Sequence, residues 1–192
     1  MKPGVRAVGV AASDSGREGE PSVLCGAVVR ADRVTDGFSF AACTVGGTDA
    51  TAAVESIVAD LDREDARYLL VAGVAPAWFN LGDLSRLARG TDRPVLSVSF
   101  EASDGLEPAL REAFSGDELD RRLEAYRSLP PRMPVDVNDG RVFVRAVGCD
   151  DEAAARVVRV FTPEGRRPEP LRVARLAARG ARRWHERERE QA

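Results

Sequence analysis

Apolar residues recur along this chain with two periods, and the switches between them mark its elements. Residues 5–10 form a short apolar run that breaks into AASDSGREGEPS, whose Gly, Pro and Ser content predicts a loop. Residues 23–29 read as a second strand. Residues 34–45 read as a third, alternating around Phe38 and Phe40. The connection at residues 30–33 is short enough for a hairpin, so the three strands make an antiparallel meander. From Thr48 the period lengthens. Val54, Ile57, Val58 and Leu61 fall at i, i+3, i+4 and i+7, with Glu55, Asp60 and Asp62 opposite, which predicts an amphipathic helix capped by Thr48. Residues 68–71 and 94–100 are continuous apolar runs of the buried-parallel-strand kind, separated by a helix carrying Leu81, Leu84 and Leu87.

The second half is mostly helical. Asp117 opens a helix with Leu119, Leu123 and Tyr126 inward, PPRMP breaks the chain, and residues 142–147 form one more strand. Asp150 suits the cap of a helix bearing Ala154, Val157, Val158 and Phe161. After TPEGRRPEP a last helix starts near Pro170, with an apolar stripe through Leu171, Ala174, Ala177, Ala178, Ala181 and Trp184. The order of three strands, helix, strand, helix, strand predicts an α/β domain with a mixed sheet of ribonuclease H-like order, with an additional C-terminal strand and helices. Residues 1–192 read as a single domain with a charged, frayed tail at 185–192.

Composition supports that picture. With 192 residues, 44% hydrophobic and 31% charged, the chain can bury a substantial core in one soluble unit. No run has the roughly 18 apolar residues of a membrane span, and no secretory signal pattern opens the chain, so a cytoplasmic protein is expected. The three cysteines, Cys25, Cys43 and Cys149, are widely spaced in apolar stretches and read as buried small hydrophobes. Lys2 is the only lysine among 28 basic residues, which suggests a salt-adapted or high-GC source.

Charge placement is more informative than the net charge of −3. Arg166, Arg167, Arg172, Arg175, Arg179, Arg182 and Arg183 cluster near the last helix with Glu164 and Glu169 as the nearby acids. They read either as a phosphate-binding strip or as a solvated face. Trp78, Phe79 and Asn80 follow a buried parallel strand, where open α/β sheets place ligands. The aromatic pair can stack on a base or pack into the core, and Asn80 can read a base edge or cap backbone groups. Asp49 is either a metal-binding carboxylate or a first-turn acid at the positive helix end. Asp36 before Gly37 suits a turn or bulge within the third strand. Walker, nucleophile-elbow and dinucleotide motifs are absent, and the single histidine, His185, has no nucleophile to serve.

The segments VRAVGV, VTDGFSF, TVGGTDAT, VAGVAPAWFN, RPVLSVSF, VRAVGCD and above all FTPEGRRPEPLRVARLAA resemble the archaeal domain of unknown function 99 family over essentially the whole chain. The resemblance implies kinship with endonuclease V, a ribonuclease H-like fold, and nicking of DNA at deaminated bases such as deoxyuridine with a divalent metal. Relatives end the first strand with an acidic pair and the fourth with aspartate; this chain has Ala11, Ala12 and Ala72 there. Asp49 stands near the middle acidic residue of endonuclease V-like proteins. Two of three expected metal-binding carboxylates are thus absent.

Mg²⁺ or Mn²⁺ needs several converging carboxylates for phosphodiester cleavage. Asp14 and Glu101, otherwise ordinary loop acids, are the residues that could join Asp49 in a relocated site. Three functions follow. The preferred one is nucleic-acid binding in DNA repair or processing, with a degenerate metal site and contacts from Arg172, Arg175, Arg179, Trp78, Phe79 and Asn80. The second is an active Mg-dependent endonuclease on deaminated DNA or RNA, with Asp49 and Asp14 catalytic. The third is a scaffold that binds a protein partner through Trp78 and Phe79.

Overall fold

A computed structural model describes residues 2–13, 16–103 and 105–191. The strands are β1 (Arg6–Ala12), β2 (Pro21–Arg30), β3 (Thr35–Thr44), β4 (Ala66–Ala72), β5 (Val95–Ser99), β6 (Met133–Val137) and β7 (Gly140–Val147). The helices are α1 (Ala50–Leu61), α2 (Leu84–Thr91), α3 (Glu107–Ala113), α4 (Gly116–Arg127), α5 (Asp151–Val160) and α6 (Glu169–Gln191). The strands form one sheet ordered β3-β2-β1-β4-β5-β7-β6. β1, β4 and β5 run parallel, and the other neighbours pair antiparallel. The first five strands give the expected ribonuclease H-like order.

Alternation along the central strands divides the core between two faces. Val8 and Val10 of β1 meet Val54 and Ile57 of α1 and Leu84 and Leu87 of α2. Ala7 belongs to the other face, where Leu70, Leu96 and Val98 meet Val157, Phe161 and Leu171 from α5 and α6. Each fully buried leucine or isoleucine contributes about 2 kcal/mol.

Two glycines set how closely the helices approach. A Cβ on Gly26 would lie 2.2 Å from Ile57 Cγ2, and one on Gly9 would lie 2.3 Å from the Pro170 carbonyl carbon. Next to Gly9 the α6 face is built from small residues, with Ala174 in a cluster with Ala11, Ala27 and Val29. The start of α6 therefore lies directly on β1.

Several expectations are corrected. PPRMP is more than a break, because Met133–Val137 is an edge strand that returns into β7 through Asn138, whose φ is +45°. An edge accommodates Pro134, which has no N–H for a ladder. Helix α3 was not anticipated: its seven residues are too few to show a period. Leu81 precedes α2, which Asp83 caps by accepting from Arg86 N. Thr48 does not cap α1.

Other expectations hold. Asp150 caps α5 by accepting from Ala153 N at 2.7 Å. The β2–β3 register shifts between Val28 and Val29, leaving Asp36 as the extra residue of a bulge. Cys25 and Cys43 are buried, and desolvation pushes both thiols up to about 12. No described helix is long and apolar enough to cross a membrane.

Candidate functional site

At the carboxyl ends of β4 and β5 the chain leaves a cleft of about 470 Å³. Ala72, Ser97 and Ser99 from the strand ends line it, together with Trp78, Phe100 and Tyr126. Four arginines converge there from separate segments: Arg132 before β6, Arg145 from β7, Arg167 before α6, and Arg175 from α6. Glu101 is the one acidic side chain among the described lining residues.

The fold anchors two of these arginines firmly. Arg132 donates to the carbonyls of Ser103 and Glu101 and to the Ser99 hydroxyl, and its guanidinium lies 4.0 Å from the Phe143 ring centre. Arg145 donates to the Pro130 carbonyl and to the Tyr126 hydroxyl, which also accepts from Leu106 N. Arg167 lies 3.8 Å over the Phe100 ring. Burial, then the charge of Arg175, holds Arg167 below the usual arginine value. Burial also lowers Arg132, assisted by Arg145 and opposed by Tyr126.

Among the described residues the carboxylates do not converge into a set that could hold a divalent metal. Ala11 and Ala72 carry no carboxylate, and Ala11 is sealed at 1% exposure. Among the described residues no group of three His, Cys, Asp or Glu side chains could hold a metal ion. Asp14 lies outside the described residues. Glu101 is on the cleft, but Asp49 is not among its lining residues.

Asp49 is instead part of a tight local network. Its carboxylate accepts from the Thr44 backbone N–H at 3.0 Å, the Thr44 hydroxyl at 2.9 Å and the Asn80 amide at 2.6 Å. Burial pushes its pKa up, but these donors outweigh it and hold the group below the usual carboxylate value. The cap of α1 comes from Asn80, whose Oδ1 accepts from Ala50 N at 2.9 Å while Nδ2 also donates to the Thr44 carbonyl. Asn80 is fully buried, so it caps backbone groups and is not placed to read a base edge.

The aromatic pair divides between the two roles. Trp78 is 52% exposed on the cleft, whereas Phe79 is 7% exposed and packs edge-on against Phe114 beside Leu110 and Leu123. Phe79 therefore belongs to a small satellite core. It holds a φ of +63°, a strained conformation for a bulky residue. Arg122 of α4 supports that turn. It is 7% exposed, lies over Phe114, and donates to the carbonyls of Phe79 at 2.7 Å and Gly46 at 2.5 Å.

The arginine strip is likewise divided. Arg175 lines the cleft, whereas Arg172 is forked onto Glu169 at 2.7 and 2.6 Å and is absent from the lining. Arg179 is also absent from the lining and has a partner of its own. Asp36 pairs with Arg6 at 2.6 Å near the start of β1, and that hydrogen bond is the main cause of its lowered pKa. Sequence reasoning missed Arg122, Arg132 and Arg145. The available signal was arginine inside otherwise apolar or proline-rich segments, VFVRAV and PPRMP.

Comparison with known proteins agrees with the fold. A UPF0215 protein of Pyrobaculum aerophilum is 34% identical over 165 residues, covering 85% of this chain and 87% of that protein. One from Thermococcus kodakarensis is 32% identical over 184 residues, covering 93% and 92%. A solved Archaeoglobus fulgidus protein of unknown function superposes with a TM-score of 0.79 at 22% identity, covering 92% of this chain and 98% of that one. Endonuclease V of Ciona intestinalis, solved with a 24mer DNA containing an inosine followed by a ribo-adenosine, gives 0.63 at 15% identity, covering 93% and 86%. Residues 3–182 match the profile described as endonuclease dU, and the chain belongs to that family.

Proposed function

We propose that this protein binds nucleic acid in DNA repair or nucleic-acid processing, and that its metal centre has degenerated so that recognition persists without efficient cleavage. The observation that carries this reading is the content of the strand-end cleft. Ala72 stands at its wall, four arginines line it, and no metal-competent carboxylate cluster accompanies them among the described residues. Arginine forks match phosphate oxygens and gain affinity from released counterions. The endonuclease V neighbour seen with inosine-containing DNA supports a nucleic-acid ligand for this fold.

The test is fluorescence anisotropy with labelled single-stranded and duplex oligonucleotides across a salt series. The proposal expects log K to fall with log salt with a slope of roughly −2 or steeper, as for about three phosphate contacts. Absence of salt-sensitive binding would favour a scaffold that docks a protein partner at Trp78.

A further inference from the structure

The arginines of the cleft are not arranged as a solvated face. The Arg167 guanidinium lies 3.8 Å from the Phe100 ring centre on the cleft, and no described carboxylate or carbonyl accepts a hydrogen bond from it. Arg145 commits one N–H to Pro130 and one to Tyr126, leaving the remainder of its five donors unassigned. Four arginines and one described carboxylate, Glu101, line the cleft, an excess of positive charge that an anionic ligand would offset. The cleft, at about 470 Å³, is in the size range of small-ligand sites. Trp78 and Tyr126 add aromatic faces to the same lining.

We propose that this cleft is a cation-independent phosphate site, in which Arg167 with Arg145 grips the phosphate of a nucleotide unit and guanidinium groups supply the positive charge a divalent metal would otherwise bring. The inference rests on the reading of the protein as a nucleic-acid binder and names the chemistry of that site. A carboxylate added at position 72 would bring a second acid beside Glu101 and weaken that site.

The experiment is isothermal titration calorimetry in EDTA with deoxyuridine 5′-monophosphate, deoxyuridine, inorganic phosphate and a single-stranded oligonucleotide. The natural chain is compared with Arg167→Gln and Ala72→Asp, each checked for folding by circular dichroism. The phosphate-bearing ligands should bind without metal, deoxyuridine should not, and each variant should weaken binding about tenfold or more. Arg167→Lys keeps charge without the fork and should fall between. It stands in for the glutamine variant if that one misfolds. Failure of every phosphate ligand to bind in EDTA, or binding indifferent to Arg167, would overturn the inference. Oligonucleotide binding that Arg167→Gln leaves unchanged would sink the cleft but preserve nucleic-acid binding. Monophosphate binding through Arg167 with no oligonucleotide affinity would support the phosphate site and sink the nucleic-acid reading.

Discussion

Ala11 and Ala72 lie at the carboxyl ends of the neighbouring parallel strands β1 and β4 and share one small-residue cluster, yet they differ in what else they face. Ala11 is sealed beneath α6, in a cluster with Ala27, Val29 and Ala174, at 1% exposure. Ala72 is only partly buried and also borders the strand-end cleft, which arginines from four segments line. Both lack the carboxylate that the family resemblance leads one to expect, but only Ala72 lines a cleft. At the first position a helix has been packed over the strand end. At the second, the strand end opens on a cleft lined by four arginines and Glu101.

The contrast predicts a graded series of effects. The largest concerns the close seat of α6. Gly9→Ala places a methyl 2.3 Å from the Pro170 carbonyl carbon, and it should cost about 3 kcal/mol or more in urea unfolding as the helix is pushed off β1. Ala11→Asp buries a carboxylate among alanines and should cost about 3 kcal/mol at neutral pH, while Ala72→Asp should cost less than about 1 kcal/mol. The sealed site would raise the new carboxyl's pKa. The Ala11→Asp protein should therefore be relatively most stable below the unfolded-state value and lose stability as pH rises. Equal costs at the two positions would break the comparison.

Arg122→Ala removes the donor shared by the Phe79 and Gly46 carbonyls and should cost about 2–3 kcal/mol, with loss of the ordered Trp78 environment in tryptophan fluorescence. Asn80→Ala leaves Ala50 N and the Thr44 carbonyl without their partner and should cost about 2 kcal/mol. It should also raise the Asp49 pKa towards the usual carboxylate value, measurable by carboxyl NMR titration. In the natural chain, the stability tied to Asp49 is present above the unfolded-state pKa and is lost as pH falls through the lower folded value. The smallest effect concerns thiols. Native labelling at neutral pH should spare Cys25 and Cys43, which burial holds at about 12, and modify at most Cys149.

The core was legible wherever a period had room to repeat. The meander, α1, β4, β5 and the capped α5 follow from spacing that survives over seven or more residues or from continuous apolar runs. Helix α3 and edge strand β6 are too short for that, and Pro134 disguises the second. The site was harder to read because its parts are distant in sequence. Arg132, Arg145, Arg167 and Arg175 meet only after β7 pairs with β5 and α6 crosses the sheet. From sequence, Asn80 and Phe79 admit both a ligand-reading and a structural role, because they follow a strand end. Burial shows that one holds a helix terminus and the other a small satellite core.

The central claim is binding without cutting, and it is tested most directly by a nicking assay on duplex and single-stranded oligonucleotides carrying deoxyuridine or deoxyinosine. The natural chain is assayed with Mg²⁺, Mn²⁺ or EDTA, while anisotropy follows binding in the same mixtures. The account predicts binding in all three conditions and no nicked product in any. Metal-dependent nicking that Asp49→Ala removes would contradict it, and would establish a catalytic metal centre built around Asp49.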